Sequence, residues 1–70
     1  MKRAFNAIVK QDEGWWIGWV EEIPGVNSQG KTRAELLKNL RLALKEALEF
    51  NRQDARSAAK QDYEEEAILV

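Results

Sequence analysis

Apolar residues cluster in two short runs in the first third of the chain and recur at three and four in the middle, so the sequence reads as strands followed by a helix. Residues 3–10 and 15–22 carry the strand pattern. Gln11-Asp12-Glu13-Gly14 between them is polar with a glycine near its end, as a short hairpin connection requires. In the first strand one parity holds Phe5, Ala7 and Val9, the other Ala4, Asn6, Ile8 and Lys10. The second strand has no polar side: Trp15, Ile17 and Trp19 fall on one parity, and Trp16, Gly18 and Val20 on the other. A half-solvated antiparallel sheet alternates apolar with polar, so this pattern asks for cover on both faces, and a single helix supplies only one.

The stretch Ile23-Pro24-Gly25-Val26-Asn27-Ser28-Gln29-Gly30-Lys31-Thr32 is the hinge between the two periodicities. Pro24 fixes φ and gives a ladder no N–H, and Gly25 accepts positive φ, so the second strand is predicted to end in a tight turn. Residues 26–29 fit a short third strand at an edge. Gly30 frees the backbone before Thr32, whose hydroxyl is placed to accept from the N–H of Glu35 while the Glu35 carboxylate reaches back, forming a capping box. From Arg33 the residues Leu36, Leu37, Leu40, Ala43, Leu44, Ala47 and Leu48 make one broad apolar stripe. The polar face carries Glu35, Lys38, Asn39, Lys45, Glu46 and Glu49, with Leu42 out of place among them. No Gly or Pro follows Phe50, so the helix is predicted to run to about residue 58, although its stripe fades after Leu48. The β-branched end of Glu64-Glu65-Glu66-Ala67-Ile68-Leu69-Val70 predicts a last strand over 65–69 returning to the sheet. The predicted class is α+β, in the order β-β-β-α-β, with a small antiparallel sheet and one helix on one face.

Seventy residues make a single domain, residues 1–70, without linker or repeat, and at that size one core leaves little margin. The chain has no Cys and no His, which removes disulfides, thiolate chemistry and the common zinc sites; association between copies is then the remaining source of extra stability. No cofactor is expected. No apolar run approaches the ~20 residues that span a bilayer, and no leader pattern opens the chain, so the expected location is the cytoplasm. A net charge of -1 argues against a large phosphate-binding surface. The charge is uneven: residues 31–60 carry eight basic and four acidic groups, residues 61–70 four acidic ones and no basic one.

Candidate chemistry is sparse. A nucleophilic triad needs a base, usually His, beside Ser or Cys, and the only Ser residues are Ser28 and Ser57. The pairs Asp12/Glu13 and Glu21/Glu22 and the run Glu64-Glu65-Glu66 read first as solvated ends, and functionally as acidic rims able to hold a basic partner. Gly30-Lys31-Thr32 lacks the spacing of a phosphate loop and reads as a turn before a helix cap. Trp15, Trp16 and Trp19 resemble a base-stacking platform, but only Lys2, Arg3 and Lys10 accompany them as cations; two of the three are expected in the core and one at an interface. Arg52, Arg56 and Lys60 form a basic line at i, i+4 and i+8 that reads as solvation of the helix end.

Gly14-Trp15-Trp16-Ile17-Gly18-Trp19-Val20-Glu21-Glu22-Ile23-Pro24-Gly25-Val26, followed by Ser28-Gln29-Gly30-Lys31-Thr32, Glu35, Asn39-Leu40, Ala43 and Ala47, resembles the HicB-like antitoxin family. The likeness runs from about residue 4 to residue 50. It implies a partial ribonuclease H-like fold and a role as antitoxin to a small basic HicA-type toxin, an RNA-cleaving protein, together with assembly into a homo-oligomer, dimer or tetramer. Many members carry a further DNA-binding domain, and the likeness does not extend to one here. The ribonuclease H-like label implies no activity, because such a nuclease needs acidic metal ligands on its strands and the first strand has none. Leu42 stands where the family commonly has a polar or acidic residue.

Three expectations result, with an enzyme as the least favoured. One is a non-catalytic inhibitor that occludes its partner through Asp12, Glu13, Trp15, Trp19, Glu21, Glu22 and Leu42, on a scaffold fixed by Pro24, Gly25, Gly30, Thr32 and Glu35. The alternatives are a homo-oligomeric scaffold without a toxin, or a module binding single-stranded RNA on its aromatic sheet.

Overall fold

A computed structural model describes residues 4–69, and three antiparallel strands and one helix follow in the order β-β-β-α: β1 (Ala7–Asp12), β2 (Trp15–Val20), β3 (Asn27–Gly30) and α1 (Arg33–Ala59). The sheet order is β1-β2-β3, so the α+β class holds with β2 in the middle. The hairpin is tighter than its polar connection suggests. Glu13 and Gly14 both take positive φ, 50° and 83°, as the two central residues of a type I′ turn do, and this brings Asp12 opposite Trp15. Gln11 and Asp12 therefore join the ladder, and β1 begins at Ala7 rather than at residue 3; Arg3, where the predicted strand started, lies outside the described residues.

β2 stops at Val20, two residues before its predicted end. The chain bends at Glu21 and Glu22 and turns at Ile23-Pro24-Gly25-Val26, where Gly25 has φ 89° and the Val26 N–H donates to the Ile23 carbonyl at 3.3 Å. The Val20 N–H donates to the Val26 carbonyl at 3.0 Å and closes this loop, which puts Val26 into the core at 5% exposure instead of on an edge strand.

Thr32 caps α1 from an extended conformation, its Oγ1 accepting from the Glu35 N–H at 3.1 Å. The Glu35 carboxylate does not complete the box: among the described residues the reverse hydrogen bond is not formed. Gly30 and Gly18 set how closely the helix lies on the sheet. A Cβ on Gly30 would stand 2.6 Å from the Leu36 nitrogen; one on Gly18 would stand 2.7 Å from the Ile8 carbonyl oxygen and 3.2 Å from both Leu36 Cδ2 and Leu40 Cδ1. The core built on this contact is Val20, Val26, Leu36 and Leu40, with Phe5, Val9, Trp16, Ile23, Ala43, Leu44 and Ala47 packed half-buried around it. Asn39, expected on the polar face, is half-buried and donates from Nδ2 to the Gln29 carbonyl at 2.9 Å, fastening the helix to β3.

The helix outruns the sheet. Twenty-seven residues make a rod of ~40 Å, and every described residue from Glu49 onward is exposed. The radius of gyration is 15.2 Å, against about 11 Å for a compact domain of this length. The strand predicted over 65–69 is not formed among the described residues. The helix carries the tail beyond the sheet, and the tail lies against the helix end instead, with Arg56 Nε donating to Glu65 Oε1 at 3.2 Å. Arg56 thus binds an acid rather than water alone, and Arg52 stands 3.7 Å from the Glu49 carboxylate.

Candidate functional site: the open face of the sheet

The residues of β2 divide cleanly between two surroundings. Trp16, Gly18 and Val20 point toward α1, as the contacts of Gly18 with Leu36 and Leu40 require, so Trp15, Ile17 and Trp19 point the other way. Register assigns them neighbours: Ile8, Trp19 and Asn27 form one row across the sheet, Lys10, Ile17 and Gln29 the next, and Asp12 with Trp15 the last. No element covers this face among the described residues. Ile8, Trp15 and Trp19 are 39%, 41% and 42% exposed. Two of the three tryptophans are therefore at the surface and only Trp16 packs on the core, the reverse of the division expected from sequence.

The acidic pairs sit at opposite ends of this face. Asp12 and Glu13 lie at the hairpin tip, while Glu21 and Glu22 lie in the bend after β2, ~20 Å away along a six-residue strand. Glu22 is committed within the chain. Its Oε1 accepts from the Asn6 backbone N–H at 2.9 Å and its Oε2 from Asn6 Nδ2 at 3.0 Å. The backbone donor first, with the side-chain amide adding, holds its carboxyl below the ordinary 4.5 against an opposing cost of desolvation. Meanwhile the Glu21 N–H donates to the Asn6 carbonyl at 2.9 Å, so Glu22 extends the hairpin by side chain where the ladder ends.

The remaining sequence candidates separate by place. Leu42 is 55% exposed on the helix, on the far side of the protein from the open sheet face, where it borders a shallow depression with Leu37, Lys38 and Arg41. Trp15, Trp19, Asp12 and Glu13 share one surface; Leu42 does not belong to it. Pro24, Gly25, Gly30 and Thr32 occupy the turn, close-approach and cap positions described above, and Glu35 supplies the capped N–H. Ile8 and Ile17 complete the apolar face and were absent from the sequence candidates. Their parity with Trp15 and Trp19 was the available signal, and it became usable only once the two-residue turn fixed the register.

The arrangement is that of a small α+β protein with one sheet face closed by its helix and the other left apolar and open. The sequence matches no family model, and the fold matches no solved structure. The chain is 36% identical over 72 residues to the UPF0150 protein ssl0738 of Synechocystis, covering 100% of this chain and 99% of that one. It belongs to the UPF0150 family. No helix among the described residues is long and apolar enough to cross a membrane.

Proposed function

We propose that the protein is a HicB-like antitoxin that binds a small, basic, RNA-cleaving toxin of the HicA type and inhibits it by covering its surface, without catalysis of its own. The observation that carries this reading is the open face: two tryptophans and two isoleucines aligned on β1 and β2, with Asp12 and Glu13 at one end and Glu21 at the other. Large aromatics at the centre of a patch supply burial, and acids at its rim steer and orient a basic partner. The resemblance of the Trp15–Val26 segment and the helix cap to HicB-like antitoxins gives the partner its class. The cytoplasm is the compartment this role requires.

The test is to isolate the tagged protein from its native host and weigh the complex by native mass spectrometry. A stoichiometric basic partner that cleaves RNA once freed supports the inhibitor; a homo-oligomer without such a partner favours a stand-alone scaffold of the same fold. That second reading has support of its own in the small core and the large exposed surface. Binding of single-stranded RNA is less favoured, because Lys10 is the one cation placed on the open face among the described residues. Loss of all RNA binding at low salt would dispose of it.

A further inference from the structure

Charge is segregated on α1 more strongly than the whole-chain total of -1 suggests. At 3.6 residues per turn, Lys38, Arg41, Lys45, Arg52 and Arg56 fall within about 60° of one another around the helix and run ~27 Å along it, on the side turned away from Leu36 and Leu40. All five are exposed. Of the four acids on α1, Glu35, Glu46 and Asp54 lie outside this stripe, and only Glu49 stands at its border. The stripe does nothing for the helix that carries it. Lys38 with Arg41, Arg41 with Lys45, and Arg52 with Arg56 are like charges three or four residues apart, and such pairs work against a helix.

Ion pairing leaves most of the stripe unmet. Among the described residues Lys38, Arg41 and Lys45 form no ion pair, and Arg52 stands 3.7 Å from the Glu49 carboxylate with both side chains more than half exposed. Arg56 shows what the stripe takes. Its Nε donates at 3.2 Å to Glu65 Oε1, a carboxylate brought by the tail beyond the helix. Glu64 and Glu65 line a pocket of about 220 Å³ there together with Arg52 and Arg56. An oxyanion from the chain's own tail thus already sits at the far end of the line, in the position open to one from a ligand.

We propose that this stripe binds the phosphate backbone of double-stranded RNA, and that the acidic tail competes for its C-terminal end. Cations in line over several turns of one helix match a polyanion of regular charge rather than a single carboxylate. The backbone, not the bases, is the contact: Phe50, the one aromatic residue of α1, falls about 140° around the helix from the stripe, so nothing there stacks an unpaired base. The major groove of A-form RNA is too deep and narrow for side chains to read, so the helix lies against phosphates and binding is independent of sequence. That the duplex is RNA rests on the function proposed above, in which the partner cleaves RNA. That partner takes the open sheet face, and the stripe, on the opposite side of the molecule, stays free to hold RNA beside it.

The test uses the full chain alone, without a toxin, so that failure here leaves the toxin reading untouched. Fluorescence anisotropy follows binding of a labelled RNA duplex of about 20 base pairs as salt rises from about 20 to 150 mM. The expected plot of log affinity against log salt has a slope of about −3, for three to four phosphates met. Arg41→Gln with Lys45→Gln is expected to weaken binding at least ~10-fold at the lowest salt and to flatten the slope by about 2. Glu65→Gln, which frees Arg56, is expected to strengthen binding ~3-fold, a gain that a damaged fold does not produce. Lys10→Gln, on the open face, is expected to leave the affinity unchanged. No binding at the lowest salt, binding unaffected by the double substitution, a Glu65→Gln protein that binds no better, or binding lost with Lys10→Gln would overturn the proposal. A DNA duplex, single-stranded RNA or polyglutamate bound more tightly than the RNA duplex would overturn its choice of ligand.

Discussion

Trp16 and Trp19 lie three residues apart in one strand and have opposite fates. Trp16 sits on the side that α1 closes, in line with Gly18 and Val20; Trp19 sits on the side that nothing in the described chain closes, in line with Trp15 and Ile17. Both sides are apolar, so composition alone does not distinguish them. The difference is that the covered side contains a glycine where the helix must approach and valine beneath it, while the open side carries large rings at alternate positions. A face closed by the chain's own helix is cut to fit that helix; the face of projecting aromatics offers no such close approach, and under the function proposed above a partner covers it.

The two faces should respond differently to substitution. The largest effect belongs to the covered side: Gly18→Val sets a branched side chain against the Ile8 carbonyl and the Leu36 and Leu40 methyls, and is expected to lose several kcal/mol, enough to unfold a domain this small. A cooperative thermal transition retained near the parent temperature would show that the helix does not rest on Gly18. Leu36→Ala, which empties the most buried position of the core, is expected to cost about 3 kcal/mol in urea unfolding.

Trp19→Ala should invert this pattern. Stability is expected to change by about 1 kcal/mol or less, because the ring is already 42% exposed. Affinity for the partner isolated from the host is expected to fall by about 2 kcal/mol, roughly 30-fold, in calorimetric titration. An unchanged affinity would take Trp19, and with it the centre of the open face, out of the interface. Leu42→Ser, on the helix and away from that face, is the contrast: it should alter neither quantity measurably if the open sheet is the partner surface.

Smaller effects test what holds the two faces in place. Thr32→Ala removes the acceptor for the Glu35 N–H and is expected to cost about 1 kcal/mol in stability without touching partner affinity. Glu22 ties the end of the hairpin to Asn6, and its carboxyl is held below the ordinary 4.5 in the folded chain. Its contribution is therefore complete above about that pH and is lost as pH falls through the folded value. Urea midpoints measured from pH 7 downward should decline over that acid range, and Glu22→Gln should decline less steeply there. An identical slope in both proteins would mean that other carboxylates set the acid sensitivity.

The local code determined much of this molecule. Period-two and period-3.6 patterns fixed two long strands and a helix, and the identities of Pro24, Gly25 and Thr32 placed the turn and the cap, because those signals act through the φ values and backbone donors of their immediate neighbours. The sequence also showed that β2 has two apolar sides. It did not show which side the helix would take. That choice depends on close approach at Gly18 and Gly30, distances across the chain rather than along it, and it left two tryptophans at the surface where one was expected. The last strand did not form either: β propensity in residues 65–69 is local, but a strand needs a partner edge, and the tail instead turns against the helix end, where Arg56 donates to Glu65.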